Sequence, residues 1–234
     1  MADLAAIVVA AGSGRRFADA GPRKQYRELC GTPLLAWAIR PFLAHPEIGH
    51  TIVVVPPEDV ENPPPWLREL PVERVAGGGE RGDSVRNGLL HVPDAYGSVL
   101  IHDGARPLLG RDLLERLVDA SRVGAAIPGL PLADTVKEVD DGGWIRRTVD
   151  RSRYWRVQTP QAFPLGVLRA CHERAAAEGL STTDDAALFE RFGYPVRVIE
   201  GAEENIKVTT AIDLELAEVL ARRLPRSEDT RPFE

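Results

Sequence analysis

Ala5-Ala6-Ile7-Val8-Val9-Ala10-Ala11-Gly12-Ser13-Gly14 is the stretch whose reading decides the fold. Its apolar run, Ala5 to Ala11, is too short to span a bilayer, follows Asp3 where a signal peptide would carry positive charge, and ends in glycines. It reads as a strand. Small residues and two glycines directly after a first strand let backbone N–H groups come close to phosphate oxygens. A Gly-x-Gly turn also opens dinucleotide-binding folds, but here Phe17 stands where the third glycine belongs. The acidic residue expected about twenty positions further on is missing as well, which disfavours a nicotinamide oxidoreductase.

Outward from this stretch, apolar β-branched runs recur at Thr51–Val55, Val99–His102, Gly124–Ile127, Val196–Ile199 and Ile206–Val208. Helix-like segments lie between several of them. Thr32 followed by Pro33 predicts the cap and first turn of a helix through Phe42, and Leu113, Leu114, Leu117 and Val118 give Arg111–Arg122 helical spacing. Thr209 and Thr210 predict the cap of a last helix, Ala211 to Leu224, stopped by Pro225. Strands alternating with helices predict an α/β fold whose mainly parallel sheet is flanked by helices. Glu58–Trp66, with Pro63, Pro64 and Pro65 in a row, reads as an exposed connection.

Thr135 to Val149 breaks this alternation, being strand-like on both sides of Asp141-Gly142-Gly143, a hairpin turn signal. A projecting β-arm over about 132–158 is expected. Because a lone two-stranded ribbon is marginal in water, the arm is expected to pack on another subunit as a homodimer, the alternative being an arm folded back on its own domain. Residues 1–225 are read as one domain and 226–234 as a disordered tail.

The chain has 234 residues, 44% of them hydrophobic, enough for one large core. Its net charge of -6 argues against nucleic-acid or anionic-membrane binding. Cys30 and Cys171 lack metal-ligand spacing, so a cytoplasmic protein with free thiols is expected. Of 29 basic residues only three are lysine, namely Lys24, Lys137 and Lys207. A compact ammonium differs chemically from a planar guanidinium, so scarce lysines are candidates for sites that reject arginine. Arg15, Arg16, Arg23 and Lys24 cluster beside the glycine loop of this acidic chain, and such a cluster suits a triphosphate.

At this point the chain resembles the 2-C-methyl-D-erythritol 4-phosphate cytidylyltransferase family. The signature Ala-Ala-Gly-x-Gly-Arg-Arg is matched by Ala10 to Arg16, and Pro-x-Lys-Gln-Tyr by Pro22, Lys24, Gln25 and Tyr26. Six further segments follow in the family's order: Gly77 to Val85, His102 to Pro107, Asp134 to Lys137, Arg151 ahead of Gln158-Thr159-Pro160-Gln161, Thr183 to Ala186, and Glu204 to Thr209. The resemblance implies a Rossmann-like nucleotidyltransferase fold and transfer of CMP from CTP to 2-C-methyl-D-erythritol 4-phosphate, with release of pyrophosphate. A ribitol 5-phosphate cytidylyltransferase is the alternative, since the two patterns overlap.

The resemblance implies CTP binding by Ala10, Ala11, Gly12, Ser13, Gly14, Gly78, Asp83 and Ser84. It assigns Arg16 and Lys24 to the transition state and leaving group. Asp103, Arg106, Thr135, Arg151, Thr183 and Lys207 would bind the acceptor, with Arg151 and Lys207 aiming its phosphate as further catalytic groups. The residue chemistry agrees. Gly77–Gly79 permits a flat base to approach backbone while Ser84 adds a hydroxyl, although the glycines also suit a plain turn before a helix near Ser84. Asp103, at the end of a parallel strand, could face Mg²⁺ carried by CTP or the acceptor polyol, or cap the next turn. Arginine forks match phosphate oxygens. Thr183 could instead cap a helix over Asp184–Arg191. Lys137 has no assigned role.

Overall fold

The computed structural model describes residues 3–12, 23–181 and 183–223. Its organising element is strand β1 (Leu4–Val9), which is apolar on both faces because both faces are covered. Ala6 and Val8 pack into one core beneath helices α1 (Leu34–Ala44) and α5 (Arg111–Ser121). Ala5 and Ile7 pack into the opposite core, beneath α4 (Arg81–His91), α6 (Leu165–Ala177) and α7 (Ala186–Arg191). Gly88 allows α4 to lie close against β1, since a Cβ there would stand 2.8 Å from Ile7 Cγ2.

β1 pairs in parallel with β4 (Ile48–Val55) on one side and with β6 (Ser98–Asp103) on the other. β5 (Glu73–Ala76) extends the sheet beyond β4, again in parallel. The chain therefore leaves β1 first to one side and later to the other. This places a topological switch point at the carboxyl ends of β1 and β6, where open α/β sheets receive ligands.

Beyond β6 the sheet becomes mixed. β11 (Gln161–Pro164) lies antiparallel between β6 and β7 (Ala126–Pro131). β7 also pairs in parallel with β12 (Arg197–Glu200) and antiparallel with β10 (Trp155–Val157). Among the described residues these eight strands form one sheet. Trp155–Val157, inside the span expected for the arm, thus belongs to the main sheet.

The hairpin itself comprises β8 (Lys137–Val139) and β9 (Ile145–Thr148), paired antiparallel in a separate two-stranded sheet. Asp140 sets its turn, accepting hydrogen bonds at Oδ1 from the backbone N–H groups of Gly142 and Trp144. Gly143 takes the left-handed conformation, with φ of 80°, that the reversal needs. Lys137 Nζ donates to Thr148 Oγ1 across the strands at 2.7 Å.

Several local expectations change. Thr32 does not cap α1: it lies in β3 (Thr32–Pro33), which pairs with β2 (Glu28–Leu29), so Pro33 precedes the helix instead. The glycine segment leads into a helix at Arg81 rather than near Ser84, because Glu80 and Asp83 form a capping box. Thr183 does not cap α7; Asp185 occupies the cap position and Asp184 Oδ1 accepts from Ala187 N–H at 3.0 Å. Glu58–Trp66 holds two short helical turns, α2 (Glu58–Glu61) and α3 (Pro65–Arg68).

Ile206–Val208 is not a strand. Val208 N–H bonds the Ala105 carbonyl at 2.8 Å, but no ladder forms. The alternation has another cause: Ile206 and Val208 enter a small core with Leu29, Leu34, Trp37 and α8 (Ala211–Ala221), while Lys207 faces the opposite way. Thr210 caps α8 as expected, accepting from Asp213 N–H. The expected tail, 226–234, lies outside the described residues.

Candidate active site

A cavity of about 600 Å³ opens at the switch point, within the range of small-molecule sites. Ala10, Ala11 and Gly12 form one wall, as the chain leaves β1. Ala10 N–H is fixed by the Val54 carbonyl at 2.7 Å, which sets the direction of this exit. Lys24, on a 3-10 turn over Lys24–Tyr26, contributes a cation to the same cavity.

Gly78 and Ser84 line the wall after β5. Ser84 Oγ accepts from Gly78 N–H at 3.1 Å and donates to the Glu80 carbonyl at 3.1 Å, so the hydroxyl shapes the loop before it touches any ligand. The glycines here are steric requirements. A Cβ on Gly77 would lie 2.1 Å from Ala11 Cβ, and one on Gly78 would lie 2.3 Å from Asp83 Cβ. The glycine segment and the β1 exit are therefore pressed together.

Asp103 ends β6 on the cavity floor. Its backbone N–H donates to Thr159 Oγ1 at 3.0 Å, and Thr159 Oγ1 lies 3.1 Å from His102 Nδ1. His102 Nε2 lies 3.0 Å from the Arg106 carbonyl. A carbonyl only accepts, so Nε2 carries the proton and Nδ1 receives the threonine hydroxyl. Burial pushes this imidazole down to about 4, consistent with a neutral ring.

The Asp103 carboxylate faces two cations, Lys207 Nζ at 2.7 Å and Arg81 Nε at 3.2 Å. Burial acts to raise its pKa, but the charges of Arg81 and Lys207 outweigh burial and hold it well below the usual carboxylate range. Lys24 and Lys207 thus reach one cavity although they are remote in sequence. The Lys207 segment is pinned from below: Asn205 Nδ2 donates to the Thr159 carbonyl at 2.9 Å and Arg106 Nη1 to the Asn205 carbonyl at 2.8 Å.

The family described as 2-C-methyl-D-erythritol 4-phosphate cytidylyltransferase, IspD, matches residues 4–223. The chain belongs to this family. A cytidylyltransferase of that name from Syntrophus aciditrophicus (strain SB) is 42% identical over 228 residues, covering 94% of this chain and 96% of the relative. Another, from Syntrophotalea carbinolica, is 46% identical over 223 residues, covering 91% and 93%. Among solved structures, 4-diphosphocytidyl-2C-methyl-D-erythritol synthase of Anaerococcus prevotii DSM 20548 is similar with a TM-score of 0.82 and 31% identity, covering 94% of this chain and 98% of that one. IspD enzymes are cytidylyltransferases of isoprenoid synthesis that transfer CMP from CTP to methylerythritol phosphate. These names do not favour the ribitol 5-phosphate alternative.

On the IspD signature, Ala10, Ala11, Gly12, Lys24, Gly78, Ser84, Asp103 and Lys207 all line the cavity. Ser13, Gly14 and Arg16 lie outside the described residues. Asp83 does not line the cavity; its Oδ2 accepts from Glu80 N–H at 3.2 Å in the capping box of α4. Arg106 spends its guanidinium on the carbonyls of Asn205 and Val157, beside the cavity. Thr135 and Arg151 are exposed on the arm, where Arg151 donates to the Ala133 carbonyl. Thr183 is exposed ahead of α7.

Arg81 was missed by sequence reasoning, although it stands inside the quoted Gly77–Val85 segment. A charged residue between two glycines reads as surface, whereas here it lines the cavity and bridges Asp103 and Asp185. Gln25 also lines the cavity.

Proposed function

We propose that this cavity holds CTP and 2-C-methyl-D-erythritol 4-phosphate together, and that an acceptor phosphate oxygen attacks the α-phosphorus of CTP. A new P–O–P link forms as the bond to the departing pyrophosphate breaks. The acceptor phosphate is already anionic at neutral pH, so no protein nucleophile takes part. The work of the protein is to bring polyanions together and stabilise charge at the reacting phosphorus. The observation that carries this reading is the meeting of Lys24 and Lys207 in one cavity with the glycine loop.

In this reading Ala10 to Gly14 cradle the triphosphate and Gly78 and Ser84 wall the cytosine pocket, with Asp83 fixing the helix behind it. Arg16 and Lys24 stabilise the leaving pyrophosphate. Lys207 and Arg151 aim the acceptor phosphate; Asp103, Arg106, Thr135 and Thr183 complete the acceptor site. Because Thr135 and Arg151 stand on the arm, they serve the site of a second copy in a homodimer. The exposure of Trp144 at 77% and Ile145 at 64% near the arm tip supports such packing.

A divalent cation enters this scheme as part of the CTP complex. Asp103 is the carboxylate at the end of β6, yet both its oxygens already face cations, and no cluster of three His, Cys, Asp or Glu side chains occurs among the described residues. Among the described residues the side chains therefore form no metal cage, and no step is routed through the ion. Among the described residues no helix is long and apolar enough to cross a membrane. A cytoplasmic location is supported by the two free cysteines. Residues 1–225 as one nucleotidyltransferase domain fit the two main cores sharing a single sheet.

The test is pyrophosphate release with methylerythritol phosphate and, in turn, CTP, UTP and ATP. Release with CTP alone is expected; no release with CTP and this acceptor would refute the assignment.

A further inference from the structure

Arg81 is held between Asp103 on the cavity floor and Asp185, which does not line the cavity. Its Nη1 donates to Asp185 Oδ2 at 2.8 Å, while Nε reaches Asp103. Asp185 Oδ1 is taken by His172 Nε2 at 3.0 Å. Asp185 is 1% exposed and His172 4%. Both oxygens of this carboxylate therefore have their own donor, and the chain His172, Asp185, Arg81, Asp103, Lys207 runs from α6 through α7 and α4 to the cavity.

We infer that His172 and Asp185 are positioning residues that keep Arg81 on Asp103 while Lys207 turns to the acceptor phosphate. This rests on the proposed placing of Asp103 and Lys207 in the acceptor site. Both cations line the cavity, and Lys207 is the more exposed partner of Asp103, at 41% against 24% for Arg81. An incoming phosphate competes for its ammonium. A buried carboxylate stripped of its cation beside a phosphate is strongly disfavoured, so Asp103 can share Lys207 only if Arg81 stays. Arg81 stays because Asp185 holds its other arm, and Asp185 is itself fixed by His172. The pair acts on the acceptor half of the site, leaving the glycine loop and Lys24 untouched.

The experiment measures KM for each substrate, kcat and the melting temperature of four variants: Asp185→Asn, His172→Leu, His172→Gln and Asp103→Asn. Asp185→Asn and His172→Leu are expected to raise acceptor KM about tenfold, the equivalent of one charge-assisted hydrogen bond, with CTP KM changed less than about twofold. His172→Gln keeps an N–H donor and is expected to recover most of the loss. Equal rises in both KM values, a fall in kcat alone, or loss of folding in Asp185→Asn and His172→Leu would assign the pair to fold stability and overturn the inference. If Asp103→Asn raises acceptor KM while those two variants do not, the inference fails and the acceptor site stands. If Asp103→Asn leaves acceptor KM unchanged, the acceptor-site reading fails with it.

Discussion

Acid should loosen the floor of the site through His102, and the size of the effect follows from its surroundings. The ring is fully buried, packs 5.3 Å from the Phe42 ring, and has both nitrogens in hydrogen bonds that require the neutral tautomer. Protonating Nδ1 turns an acceptor into a donor aimed at Thr159 Oγ1, the atom that also holds Asp103 N–H. Burial is the main cause that lowers the imidazole from 6.5 to about 4. The unfolded chain therefore takes up this proton at a higher pH than the native one. The stability contribution is complete above the unfolded value and is lost as pH falls from 6.5 toward 4. At about 1.4 kcal/mol per pH unit, the native state loses about 2 kcal/mol between about pH 7.5 and about pH 5. For a chain of this length that is a fall in Tm of roughly 4–8 °C. Urea unfolding of the wild type and His102→Gln at both pH values isolates the effect from other titrating groups. The variant starts less stable, and the gap should narrow by about 2 kcal/mol at the lower pH. A constant gap, or an NMR titration of His102 with its midpoint near the ordinary histidine value, would refute the reasoning.

Other perturbations probe other parts. Lys24→Arg keeps the charge but replaces a point cation by a wider fork, so most turnover should vanish in a pyrophosphate-release assay; near-normal kcat would remove Lys24 from its assigned role. Gly77→Ala places a methyl 2.1 Å from Ala11 Cβ; it should cost about 1–3 kcal/mol in thermal melts and raise KM for CTP, and unchanged CTP binding would count against the base pocket. Trp144→Ser combined with Ile145→Ser should convert a dimer to monomer in sedimentation experiments, whereas an unaltered species would exclude the arm tip from the interface.

The central strands were legible because their physics is local. β1, the second half of β4 (Ile52–Val55) and the middle of β6 (Val99–Ile101) are buried on both faces and so read as short apolar runs. The hairpin was legible from its turn residues. β5, β10 and β11 were not: Glu73–Ala76 carries two charges, Trp155–Val157 is exposed with arginine at its centre, and β11 begins with the buried amide of Gln161. Tertiary pairing, rather than propensity, makes these strands. Ile206–Val208 fails in the opposite sense, since its period of two serves a core on one side and a cavity on the other. In the site, lysine scarcity pointed to Lys24 and Lys207, and the Asp103 motif to the strand end. Arg81 and Asp185 gave no such signal, because a charge that will be buried looks in sequence like one that faces water. His172 is hidden further, in the middle of an ordinary helix.

The clasp between Val208 and Ala105 has a temporal side. In synthesis order the β1 exit, the Gly77–Gly79 segment and Asp103 all precede Lys207, the ammonium that meets the Asp103 carboxylate in the finished fold. On the proposed reading the cation for the second substrate is thus the last of these parts to be synthesised, and its placement depends on Val208 seating with Leu29 and α8 and bonding the Ala105 carbonyl.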